Sequence, residues 1–264
     1  MRRLFRNIII VIMAILVILP IIPLVGWAFS TSWTYPNLLP DDFSMEKFFA
    51  VLGNSQYLQA TVDSIILSTI VTFTALFLGF FAAKALGTEE FRGKRIVEIY
   101  MLLPALASGI SILYGLRYVF INTNMYLTYT SLVLAQVVFC LPYIIMLLIP
   151  VFRNYDTDCE AQAATLGVGK ISTFIHVTIP SVKSGLAVAC MYTFMVSWSI
   201  YLVVSFFAPV GFKTLATLLV PMIQMMGSYS TIAAMTVLFI LPSLFVFVIT
   251  SRMLVSNTNG GKDL

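Results

Sequence analysis

The chain has 264 residues, of which 60% are apolar and 10% charged, with a mean hydropathy of +0.98. Soluble domains are about 45–50% apolar and about 25% charged, so an all-α integral membrane protein is expected and a soluble domain of useful size is excluded. The net charge of +4 comes from bases dispersed over short segments, not from a cluster of the kind that binds nucleic acid.

Six apolar runs are long enough to cross a hydrocarbon core of about 30 Å: 8–29, 58–86, 96–120, 127–152, 182–207 and 228–254. The first follows Arg2, Arg3 and Arg6, but it exceeds a signal-peptide core, and Trp27-Ala28-Phe29 lacks the small residues of a cleavage site. It therefore reads as an uncleaved first helix, bent at Pro20 and Pro23. Residues 30–57, with Pro36, Pro40, Asp41 and Asp42, read as an external loop carrying a short amphipathic helix.

With Met1 placed inside, all fifteen lysines and arginines except Lys47, Arg117 and Lys213 fall at or near cytoplasmic loops and ends. This bias satisfies the positive-inside rule and makes both termini cytoplasmic. No fixed-period repeat is visible, so residues 1–264 are expected to form one transmembrane domain, with 256–261 as an irregular tail.

The longest interior polar segment is the cytoplasmic loop 153–180. Thr157 and Glu160 have capping-box spacing, the stretch from Ala161 to Thr165 favours helix, and Gly167 is a natural stop. A second short helix is expected from Gly169 to Thr178, ended by Pro180. Such a small-residue helix suits either docking into a partner's groove or a plain connector.

The residues Glu160-Ala-Gln-Ala-Ala-Thr-Leu-Gly167, followed by Phe174, Val177, Ile179 and Pro180, resemble the EAA loop of type I binding-protein-dependent ABC importer permeases. In that family the loop forms the coupling helix that fits a cleft in the ATPase. Aligned on Gly167, the family's Glu-Ala-Ala falls on Ala161, Gln162 and Ala163, with Glu160 one place earlier. Glu160 is then either the ATPase contact or the capping partner of Thr157. Residues 43–64 resemble the family's external segment and second span, Leu103-Pro104 with Gly109 its third, and Ser197-Trp198 its fifth.

In size and number of spans the chain looks most like the polyamine, ferric-iron, aminoethylphosphonate and thiamine permeases. The resemblance implies a multi-pass protein of the bacterial inner membrane and an ATPase-coupling set of Glu160, Ala161, Ala163, Gly167 and Pro180. It also implies two ABC ATPase subunits that hold ATP and Mg, a second, different permease chain, and an extracytoplasmic substrate-binding protein. This chain would be non-catalytic and bind no cofactor itself. Consistent with that, the nearest string to a phosphate-binding loop has Ala164 in place of its first glycine and Ile171 in place of its hydroxyl.

Ionisable or polar groups within spans are candidates for a substrate pathway. Asp63 stands where the family carries an amide; it suits a cation, or else reaches water or helix N-terminal amides. Gln136, Ser197, Trp198 and Tyr201 either line the pathway or bond helix to helix. Glu98 is expected to pair with Arg92, Lys94 or Arg95, and His176 to lie at a surface or interface. Met222, Met225 and Met226 read as flexible packing, while Cys140, Cys159 and Cys190 lack metal-ligand spacing. The rival readings are an ion-coupled secondary transporter, motivated by Asp63, and a membrane enzyme or scaffold, for which no catalytic motif is present.

Overall fold

The computed structural model describes residues 2–31, 40, 42–225 and 228–260. The chain divides into two compact units, residues 1–63 with 213–242, and residues 64–212 with 243–264. Thirteen α-helices and one π-helical turn account for most of the described residues, and one isolated bridge joins Ser30 to Phe43.

In the first unit the opening apolar run breaks at Leu19 and Pro20 into α1 (Arg2–Ile18) and α2 (Ile21–Ala28). A proline has no N–H to continue the helical ladder, which accounts for the interruption. Ser30 Oγ bonds Ser230 Oγ at 2.8 Å, and Phe29 meets Phe48 of α3 (Glu46–Gly53) with ring centroids 5.0 Å apart. Residues 215–224, between the apolar runs 182–207 and 228–254, form α12 (Leu215–Gln224) behind a capping box of Thr214 and Thr217. Residues 32–39 of the expected external loop, and Asp41, lie outside the described residues.

The second unit is organised on α7 (Tyr129–Arg153), which starts at a capping box of Thr128 and Ser131 and buries Leu132, Ala135, Val137, Cys140, Ile144, Leu148 and Phe152. Against it pack α5 (Lys94–Leu106), α10 (Ile179–Ser199) and α11 (Tyr201–Phe207). The long helix α4 (Ser55–Thr88) brings Phe80 edge-on to Phe152, 5.0 Å between centroids. At Gly87 a Cβ would lie 2.4 Å from Cβ of Phe152, so only glycine admits this approach of α4 to α7.

Four helices are long and apolar enough to cross a membrane: Ser55–Thr88, Tyr129–Arg153, Lys170–Ser199 and Tyr229–Leu254. Lys94–Pro104 and Gly109–Asn122 of α6 make a fifth span if the pair, bent by 93°, counts as one. The expected continuous span 96–120 is thus broken, with Pro104 inside α5 and extended backbone at Ala107 and Ser108. The expected span 182–207 is also interrupted, at Ile200, between α10 and α11.

Pro180 does not end the second loop helix. Helix α9 (Lys170–Thr173) passes through a π-helical turn, Phe174–Thr178, directly into α10, and Pro180 sits in the first turn of α10. The N–H of Ile179 reaches back to the Phe174 carbonyl. This widened turn makes room for a proline ring that would otherwise press on the carbonyl four residues earlier. The last helix, α13 (Tyr229–Gly260), continues through residues 256–260, where the sequence suggested an irregular tail.

Candidate functional site

Between α7 and α9 the chain forms α8 (Asp158–Thr165). The predicted capping box is absent: Thr157 has helical φ and ψ and no side-chain cap bond, while Asp156 Oδ1 accepts from the Asp158 N–H at 2.9 Å. The other end closes as expected. Gly167 takes a left-handed φ of +78°, its N–H reaches the Ala164 carbonyl at 3.0 Å, and the Val168 N–H reaches the Ala163 carbonyl at 3.0 Å. These two bonds form a Schellman motif, which needs a residue that tolerates positive φ.

Glu160 faces the protein. Lys84 Nζ of α4 lies 2.7 Å and 2.9 Å from its two carboxylate oxygens. Tyr155 Oη donates to Oε1 at 2.8 Å, and Thr178 Oγ1 of the π-helical turn donates to the same oxygen at 2.7 Å. One carboxylate therefore ties four segments together: α4, the connection from α7 to α8, α8 itself and the π-helical turn. It is neither a cap nor a free docking charge, because its oxygens are already engaged.

Burial pushes the Glu160 carboxyl up, but the bonds from Lys84, Thr178 and Tyr155 outweigh it and hold the group below its ordinary value of 4.5. Burial also pushes the Tyr155 phenol up to about 12, so it stays protonated and donates. A carboxylate with a lowered folded-state pKa stabilises above its unfolded value of 4.5 and loses that contribution as pH falls through the folded value. Protection of the amides in residues 155–178, taken relative to exchange of an unstructured chain at the same pH, is therefore expected to be high at pH 7 and to fall as pH drops below 4.5. The Glu160→Gln variant should show low protection at both values and lack the acid step.

The outward side of the loop carries large apolar residues among polar ones such as Gln162, Thr165 and Lys170. Leu166 is 82% exposed and Ile171 77%, with exposed Ala161, Ala164 and Gly167 beside them in the chain. Ala163 is buried, and Pro180 is exposed. Of the predicted coupling residues, Glu160 and Ala163 thus anchor α8, whereas Ala161 and Gly167 face solvent. Sequence reasoning missed Lys84, Tyr155 and Thr178. Lys84 alone carried a signal, as the one cation within the run 58–86.

Within the second unit, Ser197 Oγ donates to the Gln136 carbonyl oxygen, and both side chains are buried. Gln136 Nε2 has no hydrogen-bond partner among the described residues. Trp198 is buried and stacks on Phe194 at 6.1 Å, and Tyr201 is half-buried at the start of α11. Asp63 belongs to the first unit, is half-buried and accepts from Gln59 Nε2 at 2.9 Å. It stands more than two turns into α4, past the reach of the helix's N-terminal amides.

Glu98 pairs with Arg153 of α7 at 3.0 Å, not with the bases beside it, since Lys94 turns back to Glu90 at 2.9 Å. His176 is exposed, with Nδ1 3.0 Å from the Ser172 carbonyl oxygen. Met225 is 82% exposed, and Met226 lies outside the described residues. No cluster able to hold a metal occurs among the described residues.

No protein-family model matches the chain. It is 26% identical over 175 residues to the inner membrane ABC transporter permease protein YcjP of Escherichia coli, covering 66% of this chain and 62% of that one. It is 28% identical over 162 residues to the trehalose transport system permease protein SugB of Mycobacterium tuberculosis, covering 61% and 59%. The chain therefore spans less than two thirds of the length of these two relatives. Against the spermidine/putrescine transport system permease protein PotC of Haemophilus influenzae it is 24% identical over 217 residues, covering 82% and 84%.

Among solved structures, a bacterial ABC transporter involved in the import of alginate superposes with a TM-score of 0.75 at 18% identity, covering 94% of this chain and 95% of that one. The MetNI methionine ABC transporter in an inward-facing conformation gives 0.56 at 14% identity, covering 77% and 98%. The fold is that of an ABC importer permease. The chain's homologues are ABC transporter permeases, in agreement with the resemblance carried by Glu160 to Pro180.

Proposed function

We propose that this chain is a permease subunit of an ATP-driven importer, working in the bacterial inner membrane as one transmembrane domain of six spans with both termini cytoplasmic. The first span is α1 with α2, the third is the bent pair α5 and α6, and the fifth continues from the π-helical turn through α10 and α11. The chain takes a small solute from an extracytoplasmic binding protein and passes it between itself and a second permease chain. Two separate ATPase subunits hold ATP and Mg.

The observation that carries this reading is the anchored loop. Glu160 fixes the inner side of α8 to α4 and to the turn that leads into α10, while Leu166 and Ile171 stand exposed on the outer side. A force applied to that outer side is transmitted to two long helices through a carboxylate with strong, charge-assisted bonds. Glu160 acts as the tether, and Ala161, Gly167 and the exposed apolar residues form the contact face. Pro180, in the first turn of α10 just after the widened turn, marks where α10 pivots. Gln136 and Ser197, a buried polar pair, fit the substrate pathway on this reading, with Trp198 and Tyr201 as further members.

The test is purification of the tagged chain from its native membranes in mild detergent, followed by assay of ATP hydrolysis. The wild type is expected to carry a nucleotide hydrolase with it. Burying a leucine contributes about 1.5–3 kcal/mol, so the Leu166→Asp/Ile171→Asp double variant should retain at most about a tenth of that activity. A chain that purifies without any ATPase, with uptake abolished by an uncoupler, would overturn the proposal in favour of an ion-coupled transporter.

A further inference from the structure

Beside the anchored loop the second unit contains a groove of about 650 Å³ whose lining is almost wholly apolar. Phe73, Phe77 and Phe81 line it from α4, Leu186 from α10, and Phe174 closes its loop end. Phe73 is 67% exposed and Phe77 65%. Thr74, also in the lining, donates its hydroxyl to the Ile70 carbonyl of its own helix at 2.8 Å. The groove thus offers an occupant aromatic and aliphatic surface but no hydroxyl donor.

A second cavity, of about 310 Å³, adjoins it through Phe174, which lines both. Its wall includes Lys84, Lys170 and Glu160. Lys84 is neutralised by Glu160, whereas Lys170 makes no ion pair among the described residues. Two lysines against one carboxylate leave this cavity one net positive charge. Phe73, Phe77, Phe81 and Lys84 recur at helical spacing on one face of α4. From Phe73 to Lys84 the helix rises about 16 Å, close to half of a hydrocarbon core of about 30 Å.

An apolar slot one leaflet deep that ends at an unpaired cation has the dimensions and charge of one lipid class. We propose that this groove binds a single anionic phospholipid of the leaflet on the loop's side. One acyl chain lies along Phe73, Phe77 and Phe81, and the phosphate is held by Lys170. The lipid would then brace the same α4, loop and α10 junction that Glu160 ties, making the loop's position sensitive to membrane composition. The proposal rests on the membrane placement given under Proposed function, but its readout uses neither transport nor ATP hydrolysis.

The test is native mass spectrometry of the full chain, with whatever subunits accompany it, released from nanodiscs of equal parts dioleoylphosphatidylglycerol and dioleoylphosphatidylcholine. The expected result is one phosphatidylglycerol retained in preference to phosphatidylcholine. Reversing the charge with Lys170→Glu should weaken that retention about tenfold, since each base near a membrane surface contributes measurably to anionic-lipid binding. Thr74→Trp, which fills the slot, should remove it while leaving the gel-filtration profile unchanged. Equal retention of the two lipids, retention indifferent to either substitution, or a photocrosslinker at Phe77 captured by a protein and not by lipid would each overturn the proposal. For the unsubstituted chain, no retained phosphatidylglycerol with the ATPase still present defeats this inference alone, and a retained phosphatidylglycerol with no ATPase present defeats only the functional reading.

Discussion

Glu160→Ala is expected to cut ATP hydrolysis by the assembled, nanodisc-embedded transporter at least about tenfold, the effect of about 1.4 kcal/mol. Hydrogen bonds to a charged group each contribute about 1.5–3 kcal/mol net, and the substitution removes those from Lys84, Tyr155 and Thr178 together. It also leaves Lys84 part-buried without its partner. Lys84→Ala should cost less, because Tyr155 and Thr178 still hold the carboxylate. The exchanged pair Glu160→Lys/Lys84→Glu should recover only part of the activity. A lysine at 160 restores the ion pair but cannot accept from the tyrosine and threonine hydroxyls. Full recovery by the exchange would mean that the ion pair alone matters, and wild-type activity in Glu160→Ala would remove the tether from the mechanism.

Gly87→Ala is expected to destabilise the chain by about 1–3 kcal/mol, the range for forcing a methyl group into a closed interface. The added Cβ would sit 2.4 Å from Cβ of Phe152, 3.1 Å from its carbonyl carbon and 3.2 Å from the Ile149 carbonyl oxygen. Two of those three atoms are backbone, so no rotamer change relieves the clash and α4 must move away from α7. That displacement would also carry Lys84 away from Glu160. Gly53→Ala, at the end of α3 with nothing within 4 Å, is the matched control and should stay within about 0.5 kcal/mol. Thermal unfolding in detergent, followed by tryptophan fluorescence, measures both. Equal melting of the two variants would show that the α4 to α7 approach is not tight.

The apolar runs were legible because about 20 consecutive apolar residues have no soluble alternative, and three of them, 58–86, 127–152 and 228–254, became single long helices. The breaks within runs were less so. Pro20 and Pro23 in the first run signalled a bend, and the chain breaks at Pro20. Pro180 was misread as a stop, because a π-helical turn lets a proline enter a continuing helix, and nothing in residues 174–178 marks such a turn.

In the candidate site, Gly167 was readable: the need for positive φ at a helix end is local, and sequence shows local needs. The partners of Glu160 were not. Thr157 three residues earlier offered a local capping partner, but Lys84 stands 76 positions away in the chain, and tertiary bonds from it, Tyr155 and Thr178 won. Glu98 followed the same rule, passing over adjacent bases for Arg153 on the helix packed against it. The pathway candidates were split likewise: Gln136 and Ser197 meet, which the period of neither helix could foretell.

The most direct test of the account places a photocrosslinking benzoylphenylalanine at Leu166, the most exposed large hydrophobic residue of the loop, in living cells. Irradiation is expected to yield one dominant adduct with a protein that carries a Gly-x-x-x-x-Gly-Lys-Ser/Thr nucleotide-binding motif, and the adduct should disappear in the Glu160→Ala background. An adduct with lipid, or with a protein lacking that motif, would contradict the claim that this loop couples the permease to an ATPase.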